Sequence, residues 1–168
     1  MASPGSGTPH WLTVRPFRVL DCASIRQQVQ AWIAAPYSEM VLPALETALG
    51  GGTREAHGLA AHAGDVLRGV VVFGDVAGTA GTTRLHLVVV APDARLAGVG
   101  RALVSAAGDA LARTGGRLLM AEVPDDLTLA AAHGFLPRCG FVEEARVPDF
   151  YRDGVALVFL RRRLRVDG

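Results

Sequence analysis

LHLVVVAPDARLAGVGRAL, residues 85–103, runs from an apolar strand through Pro92 into a glycine-bearing turn and then into a helix. The β-branched run Val88-Val89-Val90 suits a pleated, buried strand, and Pro92, which lacks an N–H, ends it. Beyond the turn, Val99, Leu103, Ala106 and Ala110 recur at helical spacing beside Val104, Ala107 and Leu111, predicting a helix over Val99–Arg113 that Gly115-Gly116 stops. Free N–H groups at such a helix start, backed by the positive end of the helix dipole, make an anion cradle, and Gly98 and Gly100 let a ligand approach the main chain. The plainer reading of the same spelling is an ordinary strand-to-helix turn.

Working outward, a strand is expected near Trp11–Leu20, then helical pieces over Ala23–Ala35 and Glu39–Leu49, separated by Pro36 and closed by Gly50-Gly51-Gly52. Strands over Gly58–Ala63, Val66–Val76 and Thr83–Ala91 follow as an antiparallel meander, with turns at Gly64-Asp65 and Gly78–Gly81. After the 99–113 helix come a strand at Arg117–Val123, a short helix at Leu129–Leu136, and strands at Phe141–Val147 and Val155–Leu164. The fold class is therefore α/β (α+β), a mixed, mostly antiparallel sheet flanked by helices on both faces.

Composition narrows the chemistry. The 168 residues suffice for one domain, and no internal repeat or linker divides them. Every one of the 17 basic residues is an arginine. Without lysine there is no P-loop and no internal Schiff base. The net charge of +1 gives no electrostatic case for nucleic acid or an anionic membrane surface. Cys22 and Cys139 form no metal-ligand spacing and no disulfide framework, so no metal is expected and a reducing, cytoplasmic setting fits. The Gly-, Pro- and Ser-rich residues 1–10 read as a flexible lead into a domain over 11–168, and no apolar run approaches the ~18 residues of a membrane span.

Val90-x-Pro92 followed by Arg95-x-x-Gly98-x-Gly100 resembles the cofactor motif of the GNAT superfamily of acetyl-CoA-dependent N-acetyltransferases. The likeness continues through the 118–123 strand, Cys139-Gly140-Phe141 and the tail from Ala145 to Leu164, with its Asp149-Phe150-Tyr151 turn before a final strand. It implies a GNAT-type three-layer fold. Acetyl-CoA would be the acyl donor: backbone groups of Val88, Val89 and Val90 would pair with the pantetheine arm. The amides of Arg95, Leu96, Ala97, Gly98, Val99, Gly100 and Arg101 would hold the pyrophosphate, with the Arg101 side chain adding a contact.

Departures from the family bear on catalysis. Leu129 and Leu136 stand where many members carry an Asn and an acid Tyr. Tyr151 is the nearest substitute acid, against the plainer reading of a tyrosine at a strand end. His86, matching the second histidine of the H-x-H strand of arylalkylamine acetyltransferases while Arg84 replaces the first, is the candidate base. Its parity in the strand is that of Val88 and Val90. Glu122 is the rival, since an acid amid apolar residues either meets substrate or pairs with an arginine.

The implied reaction is acetyl transfer to a primary amine of a small-molecule or amino-acid-like acceptor, by direct attack in a ternary complex. The alternative is a silent GNAT-fold acyl-CoA-binding module or partner subunit. Trp32, Tyr37, Met40, Leu42 and Leu45 are expected over the acceptor end, or else in the core. The final strand, Val155–Leu160 before Arg161-Arg162-Arg163, is a candidate for pairing or packing between the subunits of a homodimer, against the plainer reading of the arginine triplet as a solvated strand end that blunts edge pairing.

Overall fold

The computed structural model describes residues 8–33 and 35–164. The expected flexible lead falls, for residues 1–7, outside the described residues. The Pro9 carbonyl accepts the Leu12 N–H at 2.9 Å. The elements are β1 (Thr13–Pro16), α1 (Cys22–Trp32), α2 (Tyr37–Leu49), β2 (His57–Ala63), β3 (Val66–Asp75), β4 (Thr82–Val90), α3 (Val99–Arg113), β5 (Leu118–Pro124), α4 (Ala130–Arg138), β6 (Val142–Arg152) and β7 (Val155–Arg163). The strands form one sheet in the order β1-β2-β3-β4-β5-β7-β6, antiparallel except at β4 and β5.

That single parallel pair follows from the chain path. A helical crossover, α3, joins β4 to β5, whereas the other ladders are joined by turns or longer returns. One face of the sheet packs α3 and α4 through Val99, Leu103, Val104, Leu111 and Leu136 onto Leu85, Leu119, Ala121 and Val158. The other packs α1 and α2 through Ile25, Val29, Leu45 and Leu49 onto Val70, Val72, Leu87 and Val89. The three-layer expectation holds. Leu103 is fully buried among α3-face neighbours. Leu103→Ala should lower unfolding stability by about 2–5 kcal/mol through lost transfer energy and a residual cavity, read from a urea melt.

Two expectations about the far side of the sheet change. β7 lies between β5 and β6, so both of its ladders are occupied and the free edge on that side is β6. β7 therefore has no free edge with which a second copy could pair, which leaves only packing against it as a contact of the expected kind. The segment Asp149-Phe150-Tyr151 is not a separate turn. It lies inside β6, where the register slips between Val147 and Arg152, Asp149 adopts a left-handed φ of 54°, and the turn proper follows at Asp153-Gly154. The Asp149 carboxylate accepts the Gly154 N–H at 2.7 Å, which fixes the slip against the turn.

Candidate active site

β4 and β5 pair at only three positions, Thr82–Leu118, Thr83–Leu119 and Arg84–Met120. Both strands continue, β4 to Val90 and β5 to Pro124, without further pairing to each other. The sheet is thus forked. The Ala91 N–H donates to Arg68 on β3 at 2.9 Å. Backbone groups alternate sides along a strand, so those of Val89 also face β3 while those of Val88 and Val90 face the open fork. An extended ligand laid in the fork finds these groups free of strand pairing on β4, as an added strand would.

At the outer end of the fork sits the 95–101 turn. Leu96 and Gly98 both have positive φ, 62° and 88°, which turns successive amides outward. Among the described residues, none of the amides from Arg95 to Arg101 donates to a backbone carbonyl outside α3, and the first to close the helix is Ala102, onto Gly98 at 3.0 Å. Gly98 is the N-cap, so no side chain competes for these donors. Gly100 is closely packed: a Cβ there would lie 3.0 Å from the Phe135 ring and would need that ring to give by a few tenths of an ångström, a contact that no motif spelling shows. Arg101 is exposed, and none of the nine ion pairs among the described residues includes it. The Arg95 Nε approaches the Val90 carbonyl at 3.5 Å. These residues fit a diphosphate: orphan amides, a helix dipole and an unpaired guanidinium converge without an acidic neighbour in the turn.

At the inner end, a β-bulge rearranges what strand parity predicts. Val72 pairs with Leu87 but Phe73 pairs with Leu85, so His86 is the extra residue. Leu85 consequently faces α3 while Leu87 and Val89 face α1 and α2. His86 is thereby separated from the parity of Val88 and Val90 and placed on the α1/α2 side, together with Arg84. Its Nε2 lies 3.0 Å from the Glu55 carbonyl. A carbonyl only accepts, so Nε2 carries the proton and the free lone pair is on Nδ1. Burial holds the imidazole pKa below its ordinary value, against the Glu55 bond, which raises it.

Glu122 projects from β5 to the same side, opposite Leu119, Ala121 and Val123, and accepts from Arg84 Nη2 at 3.1 Å. Tyr151 is half-buried, with its ring edge-on to Phe150 at 5.0 Å between centroids. Burial first, and then the nearby Glu122 and Tyr37, push its phenol above the ordinary value, so it stays protonated at neutral pH. The three candidate catalytic groups thus share one side of the fork. Leu136, at the usual position of the acid, is buried in the α3-face core, and Leu129 packs against that core.

A second cluster was not foreseen. The Tyr37 hydroxyl donates to Asp126 Oδ2 at 2.7 Å, Arg152 donates to the same carboxylate, and Thr128 supplies both its N–H at 2.9 Å and its hydroxyl at 2.8 Å. This clasp ties α2, the β5–α4 turn and the end of β6 together beside the fork. Of the five residues expected over the acceptor end, Leu42 and Leu45 belong to the core, Trp32 packs against both clusters, Met40 is half-exposed and Tyr37 enters the clasp. The hydrogen bonds from Tyr37 and then Thr128 hold Asp126 at a pKa of about 2. Its unfolded value is about 3.9, so the stabilisation is fully present above ~pH 4 and is lost as pH falls through 2. Asp126→Asn should flatten the acid limb of the stability profile, measured by thermal melts between ~pH 5 and 2.

Residues 54–143 match the acetyltransferase (GNAT) domain model. The chain belongs to the GNAT acetyltransferase family. A GNAT-family protein of Desulfovibrio desulfuricans is 28% identical, with a TM-score of 0.81 over 92% of this chain and 99% of its own. The yncA protein of Salmonella typhimurium, solved with its cofactor acetyl-CoA, is 22% identical with a TM-score of 0.68 over 93% and 95% of the two chains. The aminoglycoside 6'-N-acetyltransferase of Enterococcus faecium shares the fold at 15% identity, with a TM-score of 0.75 over 91% and 97%. No functionally curated protein matches the sequence. Among the described residues no group of three or more His, Cys, Asp or Glu side chains is arranged to hold a metal ion, and no helix is long and apolar enough to cross a membrane.

Proposed function

We propose that this GNAT domain, residues 11–168, transfers the acetyl group of acetyl-CoA to a primary amine of a small or amino-acid-like acceptor in a cytoplasmic setting. The observation that carries the reading is the fork: orphan amides at its outer end, and a histidine, a carboxylate and a tyrosine at its inner end on the side away from α3. Arg95 to Arg101 would hold the pyrophosphate, and the backbone of Val88 and Val90 the pantetheine arm, while Val89 serves the β3 ladder. Bound acetyl-CoA supplies an activated thioester, so the chain need not provide a nucleophile.

What the side chains supply is proton management and position. An ammonium of pKa ~9–10 must lose its proton, at a cost of about 3–4 kcal/mol at pH 7. His86 takes that proton, directly or through water, on Nδ1, because Glu55 fixes the opposite nitrogen as a donor. Glu122 stands second because Arg84 already occupies one of its oxygens. The amide of Val88 or Val90, free in the fork, is placed to meet charge developing on the carbonyl oxygen. Tyr151 gives the proton that the departing thiolate requires.

Since burial lowers the His86 pKa, the base form persists below the usual ~6.5, and the acid limb of kcat/KM should turn over below that pH. His86→Ala should flatten this limb, read from a pH–rate series. The burial of Leu136 and the position of Leu129 favour one other reading, a GNAT fold that binds acyl-CoA without transfer. Thiol release from acetyl-CoA across a panel of amines separates the two. Amine-dependent release supports transfer, saturable binding without release assigns the silent module, and neither one overturns both. A homodimer that extends the sheet has the β6 and β1 edges available, and sedimentation at ~18 kDa only would remove the dimer reading altogether.

A further inference from the structure

We propose that Arg84 selects the acceptor by binding its carboxylate, so that the substrate is a zwitterion whose amine and carboxylate lie a few bonds apart, as in an α-amino acid. The inference rests on the reading of the fork as an acetyl-transfer site.

Arg84 is the last β4 residue paired to β5, and its side chain reaches forward across the mouth of the fork to Glu122, two residues past its pairing partner Met120. An amine approaching a thioester in the fork from the α1/α2 side therefore meets this pair. Arg84 is under-used. Of its five N–H donors, one hydrogen bond is made among the described residues, to Glu122, and Nε is enclosed without an acceptor. Yet 41% of the side chain is exposed, so with Nε enclosed it still has surface on which to meet a ligand. Arg152, in the neighbouring clasp, is already committed to Asp126. A guanidinium with spare donors and exposed surface matches a planar carboxylate.

Glu122 sharpens the choice. Beside a carboxylate, a phosphate dianion is repelled more than a carboxylate monoanion, and beside Arg84 the second ammonium of a polycation is repelled. A zwitterion meets both charges with its opposites. Because the two side chains are 3.1 Å apart, its own charges must also be close, which favours an α-amino acid over a long ω-amino acid.

The test follows thiol release with free amino acids of varied side chain, their carboxamides and the corresponding amines without a carboxyl group. The free acid should exceed its amide in kcat/KM by about 10- to 100-fold, and Arg84→Gln should bring that ratio to within about threefold, chiefly through KM for the acid. Arg84→Lys should recover part of the ratio, and a retained melting shift with acetyl-CoA shows that each variant is folded with its donor site intact. Equal use of acid and amide by the wild type, or an Arg84→Gln enzyme that keeps the preference, overturns the inference. Acetylation of amines without regard to carboxylate would do so while leaving acetyl transfer standing. Absence of transfer to any amine would remove both. Should Arg84→Gln fail to fold, the wild-type ratio alone decides.

Discussion

Tyr151→Phe should lower kcat by about 10² to 10⁴ with little change in the affinity for acetyl-CoA. The phenol is raised by burial and by the neighbouring Glu122 and Tyr37, which keeps the proton available to a thiolate of comparable basicity. No other tyrosine fills this role: Tyr37 donates its hydroxyl to Asp126, and Leu136 is buried at the position where the family carries its acid. The ring edge of Phe150 holds the side chain in place, so the phenylalanine variant should keep its packing and its melting temperature. Measured by single-turnover quench, where chemistry rather than release limits the rate, a wild-type kcat would transfer the proton donation to solvent.

Gly98→Asp should abolish most binding of acetyl-CoA while leaving a folded protein. Gly98 has a φ of 88°, so any L-residue there is strained by about 1–2 kcal/mol, but its Cβ has room, 3.7 Å from Pro9 Cγ. The loss arises from charge: a carboxylate at the N-cap would satisfy the amides that the pyrophosphate needs and would repel its phosphates. Calorimetric titration should show affinity reduced at least ~100-fold, since several charge-assisted contacts of ~1.5–3 kcal/mol are displaced together. Unchanged affinity would place the diphosphate elsewhere on the chain.

The elements that carry the proposed donor site are legible in the sequence because they depend on local rules. The helix expected over Val99–Arg113 is observed with those bounds, since its apolar spacing, its glycine start and its Gly115-Gly116 stop all lie within a single segment. The antiparallel meander of β2, β3 and β4 followed from two glycine turns. The inner end of the fork was harder to read. Strand parity assigns faces only along an unbroken pleat, and the bulge at His86 reverses it without any spelling of its own. Likewise, the slip at Asp149 keeps β6 running through Asp149-Phe150-Tyr151, where the resemblance implies a turn. The sequence alone does not choose between substrate and arginine for Glu122, because its partner Arg84 is 38 residues away, and the Tyr37–Asp126 contact spans 89. Such pairs exist only once the sheet order is set, and the β5-β7-β6 order itself comes from a non-sequential strand insertion that local patterns do not encode.

The proposed reaction requires the fork between β4 and β5 to hold the donor, with the acceptor arriving from the α1/α2 side. A crystal structure of the chain with acetyl-CoA tests it most directly. Diphosphate oxygens should lie on the amides between Arg95 and Arg101, the pantetheine should hydrogen-bond to Val88 and Val90, and the thioester should sit beside the His86 bulge, open toward Arg84, Glu122 and Tyr151. A cofactor bound outside the fork, or a thioester facing α3 and screened from these three side chains, would contradict this placement.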